Sequence, residues 1–541
     1  MKTLITTLNS KFIHKSLALR LLYVACKDRH DIDFKEYTIK DNLEHIADDI
    51  LAMNIDVLCL SVYIWNVDHI QKLCQHLKKM RPEMIIVIGG PEVTYEIDPF
   101  LDHFAIDYLM AGEGEVALDQ LLTCLEKGEK VSIQGISTPN QRDYRLIPPV
   151  DLKYIESLES PYLLSRDLKD MKNRILYFET SRGCPYQCQY CLSSLEKGLR
   201  FFSIDYLTNQ LEQILKTDVR IIKLLDRSFN AKTSHALAIL DFIFKHAGPS
   251  VQFQFEINGD VLDQKIIDFI NEHAPDGLLR FEIGIQSTYS PTNEIVRRYQ
   301  DFDRLCDVIR QLQKNHKIDF HLDLIAGLPL ENLQRFAQSF DDVFQLYPKE
   351  LQLGFLKLLR GTSLRNEADK YGYIYDEKAP YELISSNDLS KEDIQDIHLA
   401  EDMLQKYWNS GRMPITMHKV LQEVPSPFYF FLSLGKYYQQ QHFKVFGFQL
   451  DELFSYLNQY LKGQYEDDLI EDYLRLSKVK PKRWWQSRIH DEKQIKHDLL
   501  LHYDMDLEEL FRYSMIEQLH GQIVVATYRN YQVQIKKYNL L

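Results

Sequence analysis

The 541-residue sequence predicts an α/β protein: an open parallel sheet, then a partial (β/α)6 barrel, then a mostly helical C-terminal region. Three observations carry this. Apolar runs of strand length alternate with amphipathic helical periodicity over residues 1–128, the pattern of a parallel sheet covered on both faces. The alternation resumes at residue 173 and gives six strand-like runs by residue 365. Beyond that point the sequence turns helical and aromatic-rich. The length suits about three domains, each able to bury its own core.

In the first domain the strand-like runs are residues 3–7, 33–39, 57–63, 84–88 and 107–110. Helical periodicity fills residues 17–27, 43–53, 67–80 and 116–126. Ligands of such sheets bind beyond the carboxyl ends of the strands. The first strand runs into Asn9, Ser10, Lys11, Phe12, Ile13 and His14. The third runs into Ser61, Val62, Tyr63, Ile64, Trp65 and Asn66. The fourth ends in Gly89, Gly90, Pro91 and Glu92, the fifth in Gly112, Glu113, Gly114 and Glu115 just before a helix. Glycine there lets backbone approach a bulky ligand, and a helix N-terminus donates to its polar groups. Residues 129–172, with Pro148-Pro149 and Ser160-Pro161, read as a linker.

The second domain opens on a strand-like run, residues 175–180, followed by three cysteines in eight residues: Cys184, Cys188 and Cys191. Gly183 and Pro185 oppose a helix there. A disulfide would strand one thiol. A structural zinc would want a fourth ligand, and no Cys or His follows at finger spacing. Three thiolates suit a four-iron cluster that keeps one iron open for a ligand. The further strands read at residues 220–225, 251–257, 279–285, 319–325 and 351–358. Polar residues collect at their ends, where a barrel places its chemistry. They are Asp226 and Arg227, Glu256 and Asn258, Glu282, Gln286 and Ser287, Asp323 with Gly327 and Leu328, and Lys357 and Arg360.

The cysteine loop resembles the signature of the radical S-adenosylmethionine (SAM) superfamily. The glycine loops upstream resemble the B12-binding half of its cobalamin-dependent members. The whole order resembles a subgroup with an uncharacterised C-terminal extension. The resemblance implies a Rossmann-like B12-binding domain (1–128), a radical SAM partial TIM barrel (173–365), and a mostly helical domain of unknown role (366–541). It implies a [4Fe–4S] cluster on Cys184, Cys188 and Cys191, with the amino and carboxylate groups of SAM on the open iron. An electron from the cluster then cleaves SAM to methionine and a 5′-deoxyadenosyl radical. It further implies SAM contacts at Tyr190, Asp226, Glu256, Glu282, Gln286, Ser287, Gly327 and Leu328. Cobalamin contacts are implied at Ser10, Lys11, His14, Ser61, Tyr63, Trp65, Gly89, Gly90, Pro91, Glu92, Gly112, Glu113, Gly114 and Glu115.

Two departures stand out. Asp226-Arg227 replaces the superfamily's widespread Gly-Gly-Glu. The Asp-x-His-x-x-Gly motif that replaces cobalamin's lower base is missing, so the cobalt is expected to lack a protein axial ligand, with His14 as loop packing or a corrin-edge contact.

The implied activity is methyl transfer to an unactivated carbon of a small-molecule, peptide or RNA substrate, with a reductase or a flavodoxin or ferredoxin as electron donor. The alternatives are radical cyclisation or rearrangement, a tRNA methylthiotransferase-like reaction, and a non-enzymatic cobalamin or redox sensor. Methylthiotransferases carry three more cluster cysteines near the N-terminus, whereas here Cys59 falls in a strand and Cys74 on a helix. The other cysteines (Cys26, Cys59, Cys74, Cys124, Cys306) read as reduced core residues. With no signal-peptide layout and no apolar run of membrane-spanning length, a cytoplasmic protein is expected. A net charge of −14 argues against broad nucleic-acid coating. Residues 478–485, basic and aromatic, read as a solvated face.

Overall fold

The computed structural model describes residues 1–196, 198–315 and 317–539. The chain divides into two compact units. One holds residues 1–332 and 353–391, the other residues 333–352 and 392–541.

The first unit contains both cofactor-type sheets. The N-terminal sheet has strands β1 (Lys2–Asn9), β2 (Asp31–Thr38), β3 (Val57–Ser61), β4 (Ile85–Gly89), β5 (Tyr108–Met110) and β6 (Ile136–Ser137), in the order β2-β1-β3-β4-β5-β6. The first five run parallel; β6 pairs antiparallel with β5. Val57 to Leu60 is buried on both sides of β3, because helices cover both faces. Helices α1 (Leu17–Cys26) and α5 (Glu115–Lys127) bring Leu19, Val24, Leu118 and Leu121 to one face. Helices α2 (Leu43–Ala52), α3 (Val67–Met80) and α4 (Asp98–His103) bring Ile46, Ile70, Leu73 and Phe100 to the other. Helix α4 and strand β6 were not expected from the sequence. Both are short, below the length at which periodicity registers. Residues 129–172, read as a linker, are packed: Ile136 and Ile147 enter the sheet's core.

The barrel sheet holds β7 (Ile175–Phe178), β10 (Ile221–Leu224), β11 (Gln252–Ile257), β12 (Leu279–Gln286), β13 (Ile318–Ala326) and β14 (Glu350–Phe355), all in chain order across the sheet. Its pairings from β7 to β13 are parallel. Side chains alternate along each strand. Phe253, Phe255, Phe281 and Phe320 form one buried aromatic face. The opposite face carries Lys223, Gln254, Glu256, Arg280, Glu282 and Asp323, and lines the inside of the half-barrel. Between β7 and β10, a short antiparallel pair, β8 (Ser181–Arg182) and β9 (Arg200–Phe201), brackets the cysteine loop.

A last hairpin belongs to this unit, β15 (Ile374–Tyr375) and β16 (Leu383–Ser385). Residues 366–391, placed with the C-terminal region on sequence, therefore pack with the cofactor sheets. Backbone bonds explain this: Leu358 N donates to Tyr381 O, and Leu383 N to Leu356 O.

The second unit is mostly helical, with a three-stranded antiparallel sheet of β17 (Ser514–Leu519), β18 (Gln522–Arg529) and β19 (Gln532–Asn539). Phe336, Phe340 and Phe344 pack on Phe428 and Phe431 at its centre. Trp484 and Trp485 turn inward onto Tyr473, so the aromatic half of the 478–485 segment is packing. No helix among the described residues is long and apolar enough to cross a membrane.

Candidate active site

The cysteine loop starts where β7 meets β8. Gly183 has φ +93°, and a Cβ there would fall 2.0 Å from Gly198 O, so only glycine lets the two ends of the loop close. Beneath the loop lies Asp226, 1% exposed. It accepts from Thr180 N (3.0 Å), Thr180 Oγ1 (2.6 Å) and the Ser181 hydroxyl. Both its oxygens thus hold the loop's foot. Asp226, expected to meet SAM's amino group, also anchors the start of the cysteine loop.

Cys188 is buried, and Cys184 and Cys191 are half-buried; all three thiols are free. Cys191 N donates to Cys188 O at 3.1 Å, which curls the loop. Burial pushes the Cys184 thiol up, and the neighbouring Cys191 and Cys188 add to that. Among the described residues no three His, Cys, Asp or Glu side chains converge on a single metal ion. A cube of four irons asks for no such convergence, since each thiolate takes its own corner. The donor set fits that group and not a mononuclear zinc.

The ends of β11 and β12 and the helix Ser290–Ile295 carry buried acceptors with no partner among the described residues: Asn258 Oδ1, Gln286 Oε1 and Asn293 Oδ1. Each such atom costs about 1–3 kcal/mol if nothing donates to it. Gln286 also sits at φ +70°, strained for a residue with a side chain. Unpaired acceptors and backbone strain thus coincide at Gln286, one of the SAM contacts expected from the sequence. Of the other SAM-side residues, Tyr190 lies in the loop next to Cys191 and is half-buried. Lys223 at 2.8 Å holds the Glu282 carboxyl below its usual range despite burial. Burial pushes the Glu256 carboxyl up, and Arg227 is 3.8 Å away. Ser287 is fully buried, donating to Glu331 Oε1 at 2.8 Å. Leu328 is buried, and Gly327 lies against Leu383.

The loops of the N-terminal sheet come to the same region. Asn66 organises the loop after β3: its Oδ1 accepts from Tyr63 N, and its Nδ2 donates to Leu8 O and Ser61 O. Tyr63 and Trp65 stack at 4.4 Å, with Trp65 left 42% exposed. Ser61 is buried, whereas Lys11 and Pro91 are exposed and Ser10 is intermediate. Ile13 O accepts from Ile175 N, so the loop after β1 joins the edge of the barrel sheet. His14 Nδ1 is 2.7 Å from Tyr177 Oη. Burial, then Lys11, Arg174 and Lys223, hold the His14 imidazole below its usual pKa.

Three expected cobalamin contacts have protein partners. Glu113 and Glu115 pair with Arg182, and Glu113 also with Arg200, the two arginines that flank the cysteine loop. Glu92, 4% exposed, accepts from Tyr381 Oη and from Arg360 Nε (3.2 Å). The glycines also answer to protein: a Cβ on Gly90 would lie 2.6 Å from Val62 O, and one on Gly112 3.0 Å from Ile147 Cβ. A Cβ on Gly114 would lie 3.0 Å from Leu22 Cδ2, whereas Gly89 has looser surroundings. Sequence could not reveal these partners, because the residues stand far apart along the chain. Arg298, whose guanidinium lies near Cys188, was missed; it reads as one of two ordinary basic residues after a helix.

This pairing of a three-cysteine barrel with a doubly wound sheet defines the class, a radical SAM protein with an N-terminal B12-binding domain. Residues 3–122 match the B12 binding domain, residues 178–343 the Radical SAM superfamily, and residues 369–539 a protein family of unknown function, DUF4080. The chain is thus a B12-binding radical SAM superfamily protein with a DUF4080 region. It is 28% identical to the cobalamin-dependent radical SAM methyltransferase TokK of Streptomyces tokunonensis, over 56% of this chain and 46% of TokK. It is likewise 28% identical to the 2-(S-pantetheinyl)-carbapenam-3-carboxylate methyltransferase of Streptantibioticus cattleyicolor, over 54% of this chain and 45% of that one. The chain therefore spans under half the length of these curated relatives. In fold it is similar to the cobalamin-dependent SAM radical enzyme OxsB, solved with aqua-cobalamin and SAM bound, at a TM-score of 0.60 and 16% identity, covering 88% of this chain and 75% of OxsB. It is also similar to the methyltransferase TsrM of Kitasatospora setae, solved with cobalamin and a [4Fe–4S] cluster, at 0.58 and 16%, covering 70% and 76%.

Proposed function

We propose that the chain is a cobalamin-dependent radical SAM enzyme that transfers a methyl group to an unactivated carbon. The observation that carries this is the meeting of the two loop sets. Arg182 and Arg200, on either side of the cysteine loop, hold Glu113 and Glu115 of the B12-type sheet. When bound, the cluster would supply the electron, SAM the radical and the methyl group, and cobalamin a methyl carrier. The chain's own part is to bind and orient. Cys184, Cys188 and Cys191 would hold the cluster, leaving one iron to SAM. The unpaired acceptors of Asn258 and Gln286 would take donors of SAM. Trp65, exposed beside Tyr63, would cover one face of the corrin. The loop that carries His14 lacks the Asp-x-His-x-x-Gly motif, so the cobalt would have no protein ligand, with His14 held by Nδ1 against Tyr177 Oη. Reacting atoms must come within about 3–4 Å, so the fixed spacing of the two loop sets is what the chain contributes to rate.

SAM carrying a deuterated methyl group tests the reaction class. Reconstituted enzyme should give labelled methylcobalamin and, in extracts of a deletion strain, a product heavier by one labelled methyl. A product that forms with 5′-deoxyadenosine but without label would make this a cyclase or rearrangement enzyme instead. Loss of 5′-deoxyadenosine altogether would favour a sensor.

A further inference from the structure

A half-buried arginine stands beside the cysteine loop without an acid partner among the described residues. Arg298 Nη1 is 3.9 Å from Cys188 Sγ. Its Nη2 donates to Gly284 O and, at 3.4 Å, to Gln300 Oε1. Its Nε is buried with no acceptor among the described residues. No carboxylate among them lies within ion-pair distance; Asp260 is felt only from farther off.

The backbone puts it there. The helix Ser290–Ile295 ends at Val296, and Arg297 takes φ +55°, a left-handed turn that swings the next side chain inward. Arg298 N donates to Asn293 O at 2.8 Å, and Val296 O accepts from Gln189 N at 2.9 Å. Gln189 lies between Cys188 and Cys191, so this turn is strapped to the cysteine loop. Burying a cation is costly unless an anion meets it. Three thiolates on an iron–sulfur core would make such an anion, and no carboxylate of the described residues stands within ion-pair distance.

We propose that Arg298 is a positioning residue that acts through Cys188 to raise the reduction potential of the cluster. This rests on the cluster assignment above. One electron makes an already anionic cluster more negative. A fixed positive charge close to a ligand sulfur, shielded from water, favours the reduced form.

The full-length protein, reconstituted anaerobically with iron and sulfide and kept free of SAM, is titrated with dithionite while the reduced cluster is followed by EPR. Arg298→Gln should lower the ratio of reduced to oxidised cluster about tenfold at a given poise, about 59 mV for one electron. Arg298→Lys, which keeps the charge, should stay within about threefold of wild type. A glutamine variant that titrates like wild type overturns the proposal. If that variant loses its iron, the lysine variant decides: a tenfold fall there also overturns it. A difference that emerges only once SAM is added would assign the guanidinium to SAM's carboxylate and reject the cluster role. Failure of the wild-type chain to take up any cluster is a different outcome, and sinks the cluster assignment itself.

Discussion

At Cys188 a buried thiol, a fixed turn and a nearby cation meet in one residue. Replacing it with alanine should leave well under four irons per chain after reconstitution, as measured by iron assay; full iron would remove it from the ligand set. His14 gives the opposite expectation. Its loop lacks the Asp-x-His-x-x-Gly setting of a cobalt ligand, so His14→Ala should leave the visible spectrum of bound cobalamin unchanged. A spectrum that loses an imidazole signature would contradict this. In the second unit, burial pushes the Asp472 carboxyl up to about 6, against the N–H groups of Ile415 and Thr416 that favour its charge. The folded pKa lies above the unfolded value of about 3.9, so the folded state binds more protons between about pH 4 and 6. Stability should therefore fall as pH rises through that window, by about 1–3 kcal/mol, and level off above it. Asp472→Asn should lose this slope in calorimetric scans. A variant with the wild-type slope would reject the assignment. The cysteines were legible as residues because their spacing is chemistry in itself. Asp226 and Glu113 were legible only as polar positions at strand ends. Their partners, Thr180 and Arg182, are 46 and 69 residues away.

Among elements, the hairpin of β15 and β16 matters most. Tyr381, 2% exposed, donates to Glu92 in the loop after β4 and accepts from Arg360 Nε at 2.9 Å. Arg360 in turn reaches Glu96 at 2.8 Å, and Glu96 accepts from Gly361 N. Glu92 is held above the usual carboxylate range by burial, which these donors offset in part. Tyr381→Phe keeps the ring and removes the hydroxyl, leaving a buried carboxylate short of a donor. It should destabilise the unit by about 1–3 kcal/mol, read as a lower midpoint in denaturant. No loss would mean that Glu92 is satisfied without it. The hairpin was invisible to periodicity because its strands are two and three residues long. The long barrel strands were readable because alternation over six to nine residues has one interpretation. The glycine loops were read as openings for a ligand, yet Gly90 and Gly112 are required first by neighbouring backbone and side chain. Sequence shows where glycine stands but not which neighbour needs the room.

For the molecule as a whole, the arrangement in the first unit ties the cysteine loop to the loops of the B12-type sheet. The cysteine loop is tied to one B12-type loop by Arg182 and Arg200, and the segment after β14 is tied to another by Arg360 and Tyr381. Such buried ion pairs are weak as net stabilisers, but breaking one leaves an uncompensated charge. The spacing between the two cofactor regions is therefore set by the fold before any cofactor arrives. The central claim is reductive cleavage of SAM at the three-cysteine loop, and one measurement reaches it most directly. The full-length chain, reconstituted under anaerobic conditions, is reduced in the presence of SAM and assayed for 5′-deoxyadenosine by mass spectrometry. Wild type should produce it, and Cys188→Ala should produce none above background. Wild type with full iron and no 5′-deoxyadenosine, or undiminished product from the alanine variant, would contradict the account.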